Sequence, residues 1–153
     1  MQRFIKPKKM KRKHKMECLS QSEQETIMFA KKFATTLKGG EIIALWGTLG
    51  MGKTVFARGV IQALTEREEE VPSPTFTLLQ TYNTPKGELF HFDFYRLKTP
   101  DEAYEIGIED AFESGICLMD WPEKIGKLLP KRTIHVHFKA TPKGRQITVK
   151  GGK

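Results

Sequence analysis

A chain of 153 residues with 26 Lys or Arg against 18 Asp or Glu, for a formal net charge of +8, has the length of a single domain. A domain of that size buries about 70% of its unfolded surface, so neither a disulfide nor a structural metal is required. No apolar run approaches the roughly 18 residues of a membrane span, and no apolar segment follows the basic start as in a signal peptide, so a cytoplasmic protein is expected.

The charge is unevenly placed. Residues 1–16, "MQRFIKPKKMKRKHKM", hold eight Lys or Arg and no acid, which leaves 18 side chains of each sign in the remaining 137 residues. Residues 1–18 therefore read as a basic extension that repels itself and does not fold alone. Attraction to RNA phosphates is one reading of it, and a solvated extension without a partner is the other. The domain proper is expected over residues 19–150.

That domain opens at "SQSEQETIMFAKKFATTLKGG", where Ser20 or Ser22 caps a helix and Glu23 or Glu25 completes a capping box. Ile27, Ala30, Ala34 and Leu37 share one face, and Gly39 and Gly40 end the element. "EIIALWG" reads as a buried strand. After a glycine-rich loop, "KTVFARGVIQALTE" has helical spacing at Val55, Val60, Ile61 and Leu64. "EREEEVPSP" is a polar, proline-broken loop, and "TFTLLQTYN" and "ELFHFDFYRL" form a hairpin about "TPKG". Two short helices follow, with Thr99 capping and Pro100 in a first turn. "GICLMDW" is a buried strand ending in an acid, in which Cys117 is a small buried hydrophobe; with Cys18 it makes no metal spacing. "RTIHVHF" and "RQITVK" form a last hairpin. The sum is an α/β layer fold with parallel and antiparallel strands in one sheet.

The loop "GTLGMGKT" matches G-x-x-x-x-G-K-[ST] between a strand and a helix. Its glycines, Gly47, Gly50 and Gly52, let backbone N–H groups surround phosphate oxygens at the positive end of the helix. Lys53 brings a charge to the β- and γ-phosphates, and Thr54 offers a hydroxyl to magnesium. Two acids stand where a strand end would present a carboxylate to the same metal: Asp93, between aromatics that point into the core, and Asp120, at the carboxyl end of a buried strand. Either also serves as a turn cap. Thr75 in "SPTF" is a γ-phosphate-sensing hydroxyl or a plain turn residue.

"GTLGMGKT", "SPTF", "HFDFYRL", "GIED" and "DWPE" occur in the order and spacing of the TsaE (YjeE) family, and over about residues 19–150 the chain resembles it. These are small bacterial P-loop ATPases needed to form threonylcarbamoyladenosine in tRNA. The resemblance implies a three-layer P-loop NTPase fold, a mixed parallel and antiparallel sheet flanked by helices. It implies that Leu49, Gly50, Met51, Gly52, Lys53 and Thr54 wrap the phosphates of ATP, with Thr54 on Mg2+. It makes Asp120 a metal ligand or the group that orients water, gives Asp93 a share in the same metal, and makes Thr75 the mobile hydroxyl. Glu23 and Arg145 would touch the nucleotide, with Trp121 beside the site or packed in the core. Two positions depart from the family pattern. Thr48 replaces an aspartate in the loop, and Asp120 replaces a glutamate; both bear on turnover more than on nucleotide binding.

The implied function is slow, magnesium-dependent ATP hydrolysis that resets a TsaB–TsaD pair during modification of the adenosine 3′ of the anticodon, in tRNAs reading codons that begin with adenine. No arginine is clearly placed as a finger, and without one P-loop enzymes lose about 10³-fold or more. The basic extension is a candidate contact for tRNA. A small-molecule kinase on the same fold is one alternative, although residues 97–115 are acidic rather than arginine-bearing. An ATP-regulated RNA-binding module is the other.

Overall fold

The computed structural model describes residues 16–67 and 78–152, so Thr75 and nearly all of the basic extension lie outside the described residues. The first element among the described residues is a strand that composition did not reveal, Met16–Ser20 (β1). Met16 and Cys18 pack on the core while Glu17 and Leu19 are exposed, the alternation of a half-buried edge strand. β1 pairs antiparallel with the last strand, from Met16 opposite Val149 to Ser20 opposite Arg145. The boundary expected at residue 18 thus falls inside an element whose partners lie at the far end of the chain.

Helix α1, Glu23–Ala34, is capped by Ser22, whose Oγ accepts the Glu25 N–H at 3.1 Å. Glu25 Oε1 accepts the Gln21 N–H at 2.7 Å, so the return bond of this capping box lands one residue before the cap. Ser20, the other candidate cap, is buried and bonded to Thr26 Oγ1 at 2.6 Å. Ala30, Ala34 and Leu37 are buried as expected, but Ile27 is only half-buried, and Phe29 and Phe33 fill the core instead.

The remaining elements are β2 (Ile42–Trp46), α2 (Lys53–Thr65), β3 (Leu79–Thr84), β4 (Gly87–Asp93), α3 (Glu102–Glu105), α4 (Ile108–Ser114), β5 (Ile116–Asp120), β6 (Ile134–Thr141) and β7 (Gly144–Gly151), with 3-10 turns at Pro122–Lys124 and Gly126–Leu128. Thr99 caps nothing with its side chain; its carbonyl accepts the Glu102 N–H at 3.2 Å, and Asp101 is the residue before α3.

The strands form one seven-stranded sheet in the order β1-β7-β6-β2-β5-β4-β3. β6, β2, β5 and β4 run parallel, and antiparallel partners close both sides. Period-two alternation gives the sheet two apolar faces. Ile43 and Leu45 face α1 and α2, whereas Ile42 and Ala44 belong to the core under α3, α4 and the 3-10 turns. The result is the expected three-layer α/β arrangement. Phe56, one turn into α2, is fully buried with ring centroids 5.6 Å from Phe33 and 5.5 Å from Phe138. Such burial is worth about 3–5 kcal/mol against truncation and pins the start of α2 over the sheet. Among the described residues, no helix is long and apolar enough to cross a membrane.

Candidate functional site

Parallel strands β2 and β5 end at one edge of the sheet, and open α/β sheets take ligands outside such carboxyl ends. From β2 the chain turns through "GTLGMG" into α2. Gly52 stands at the N-cap of α2 with φ of 96°, a left-handed conformation that side chains disfavour. The first N–H groups of α2 have no acceptor within the helix and carry its positive end. A cleft of about 460 Å³ opens there, and Leu49, Gly50, Gly52, Lys53 and Thr54 line it.

Lys53 is buried, and its ammonium is held from three sides. Nζ lies 3.0 Å from Asp120 Oδ1, donates to the Gly47 carbonyl, and sits 4.0 Å from the centre of the Trp121 ring. Asp120 also accepts the Trp121 N–H at 3.0 Å. Burial raises the pKa of the Asp120 carboxyl above its ordinary value, and the charge of Asp93 adds to that. The hydrogen bond and charge of Lys53 pull the other way without reversing it. Trp121 reaches the cleft from a left-handed backbone conformation, φ 59° and ψ 51°. In a non-glycine residue that costs on the order of 1–3 kcal/mol.

Asp93 and Asp120 are register partners, but only Asp120 lines the cleft. Asp93 is buried behind it, with Oδ1 accepting the Tyr95 N–H at 2.9 Å. Arg145 enters from β7, where Nη2 donates to the Gly50 carbonyl at 2.9 Å, and its buried Nε has no hydrogen-bond partner among the described residues. Glu23 lies at the rim, 3.8 Å from Arg58 Nη2. The Met51 side chain packs against the core under α1 and α2, which leaves its backbone to the loop.

One wall of the cleft was not anticipated. Ser20, Gln21, Ser22, Thr26 and Gly144 line it, brought there by the pairing of β1 with β7. Gly144 has φ of 155°, and a Cβ at that position would stand 2.3 Å from the Ser20 carbonyl oxygen, so the close approach depends on glycine. The glycine-arginine pair was the visible signal for this wall.

Among the described residues, no group of three or more His, Cys, Asp or Glu side chains could hold a metal unaided. At the start of α2 the cleft does present the Thr54 hydroxyl and, beside Lys53, the Asp120 carboxylate. Magnesium takes protein oxygens in ones and twos and completes its shell with phosphate and water, so this donor set fits it.

The profile of the family described as "Threonylcarbamoyl adenosine biosynthesis protein TsaE" matches residues 20–147. The chain belongs to the TsaE family. A Rickettsia bellii protein named tRNA threonylcarbamoyladenosine biosynthesis protein TsaE is 48% identical over 118 residues, 77% of this chain and 82% of the relative. One of the same name from Treponema pallidum is 35% identical over 136 residues, 88% of this chain and 99% of the relative. The crystal structure of Bacillus subtilis YdiB superposes with a TM-score of 0.75 at 29% identity, over 91% of this chain and 86% of that one. The TsaE match begins at Ser20 and takes in Arg145, so it spans both walls of the cleft.

Proposed function

We propose that this chain is a cytoplasmic, magnesium-dependent ATPase of tRNA threonylcarbamoyladenosine biosynthesis, and that its nucleotide cycle resets a TsaB–TsaD pair. The observation that carries the reading is the buried Lys53–Asp120 contact of 3.0 Å at the start of α2, in a chain of the TsaE family. An ammonium held by a carboxylate exchanges that partner for the β- and γ-phosphate oxygens of ATP, and the carboxylate is then free to turn toward the phosphates. Thr54 and Asp120 are the residues that would hold Mg2+, which supplies charge neutralisation at the transferred phosphoryl group.

The other residues have supporting roles in this proposal. Backbone N–H groups of Gly50, Met51, Gly52 and Lys53 cradle phosphate oxygens. Asp120 holds the metal or orients the attacking water, and Asp93, behind it, supports the same metal from a second layer. Thr75 senses the γ-phosphate. Arg145, Glu23 and Trp121 bind the rest of the nucleotide, and Leu49, whose side chain is 72% exposed, covers the phosphates from the loop tip.

The test is reconstitution with purified TsaB and TsaD. The proposal expects the chain to co-elute with the pair in an ATP- and magnesium-dependent way and to be required for repeated rounds of threonylcarbamoyl transfer to tRNA. Co-elution indifferent to nucleotide, together with repeated rounds in its absence, would reject it.

A further inference from the structure

The even charge balance of residues 17–153 conceals a division. All 18 acids lie between Glu17 and Glu123, whereas residues 124–153 carry nine Lys or Arg and no acid. That C-terminal segment supplies β6 and β7, and β1, which follows the basic residues 1–15 in the chain, pairs with β7. Lys139, Arg145 and Lys150 therefore stand on the same half of the sheet.

Among the described residues, this half-sheet is covered on one side only. Val136, Phe138, Ile147 and Val149 are buried under α1 and α2. On the opposite side, His137, Lys139 and Lys150 are exposed and Trp46 and His135 half-buried. There α3 and α4 pack with β2, β4 and β5, and among the described residues no helix covers β6 and β7.

The rings on the open side are fixed to one another. Trp46 Nε1 donates to His135 Nδ1 at 3.0 Å, and the Trp46 and His137 rings lie 6.0 Å apart with 12° between their planes. Lys150 is the register partner of His135, and Lys139 follows His137 on the same face. Burial lowers the pKa of both imidazoles, and for His137 so do His135 and Lys150. At neutral pH the histidines thus contribute aromatic surface, and the lysines contribute the charge.

Aromatic rings flanked by ammonium groups suit unpaired nucleic acid, whose bases stack on the rings and whose phosphates meet the cations. Protein–protein interfaces are instead depleted in lysine. We propose that the open face of β2, β6 and β7 binds single-stranded RNA, with bases on Trp46, His135 and His137 and phosphates on Lys139 and Lys150. None of these residues lines the nucleotide cleft, so the proposal stands apart from the ATPase reading.

The test is fluorescence anisotropy of the full chain with a labelled, mixed-sequence single-stranded RNA of about 12 nucleotides, within the usual site size. The exposed positions allow two variants that preserve the fold, Lys139→Glu with Lys150→Glu, and His137→Ala. Each is expected to weaken RNA binding about tenfold or more. The double charge reversal should also flatten the log affinity against log salt slope by about 1.4, at about 0.7 per phosphate contact. ATP binding by calorimetry should not change. Unaltered RNA affinity in both variants would overturn the proposal and assign the contact to residues 1–15. Loss of TsaB–TsaD binding in the variants, with no RNA binding by the parent chain, would overturn it in favour of a protein partner.

Discussion

Asp93 and Asp120 stand opposite each other in the parallel register of β4 and β5, one buried and the other at the cleft. The charge of Asp93 adds to the burial that raises the pKa of Asp120. Asp93→Asn removes that charge, so Asp120 ionises more readily. The acid limb of the pH profile for ATP hydrolysis should therefore move to lower pH. A limb that stays in place would show that Asp120 does not govern it.

Asp120 is the carboxylate within reach of Lys53 in the cleft. Asp120→Ala should lower kcat for hydrolysis about 100-fold or more, as for other groups that act on the reacting proton or phosphate. The affinity for ATP should fall far less, because Lys53, Thr54 and the loop amides remain. Single-turnover phosphate release alongside equilibrium binding separates the two effects, and unchanged turnover would remove Asp120 from the mechanism.

His91 is 4% exposed, and its Nδ1 has no partner among the described residues. Burial lowers its pKa to about 4, against the opposing charge of Asp93. The unfolded chain binds a proton at His91 near pH 6.5 while the folded chain does not. Stability from this group is therefore complete above pH 6.5 and is lost as pH falls toward 4, by about 3 kcal/mol at about 1.4 per unit. Urea titrations of the parent and His91→Phe at pH 7 and pH 4 check this. The variant should lose less stability over that interval, and an equal loss would contradict it.

Gly144→Ala would place a methyl group 2.3 Å from the Ser20 carbonyl, in a backbone conformation with φ of 155°. The expected cost is about 1–3 kcal/mol by denaturant titration. Because Ser20 and Arg145 flank the cleft, ATP affinity should fall with it. Full stability together with full affinity would mean that this wall does not shape the site.

The glycine-rich loop was legible in the sequence because its elements are local: a buried strand, glycines and a lysine-threonine pair lie within a few residues of one another. Asp120 was legible for a similar reason, as the acid that ends a run of apolar residues. The Ser20 wall was not, because β1 is five residues long and acquires meaning only from its pairing with Arg145 and its neighbours. The same long-range pairing is what draws Met16, Glu17 and Cys18 into the sheet. Which way the Met51 side chain turns was not legible, because a loop residue between two glycines gives no sign of it and the core it packs against is assembled from distant elements. The Trp46–His135–His137 group also needed the β2–β6 register before its members could be seen as neighbours.

Calorimetric titration of the full chain with ATP and magnesium tests the central claim most directly, run in parallel on Lys53→Ala. The parent chain should give saturable heat for one site, and the variant should bind about 100-fold more weakly, the upper range for losing a charge-assisted contact. Absence of heat with the folded parent, or equal affinity in the variant, would contradict the assignment of this cleft to ATP.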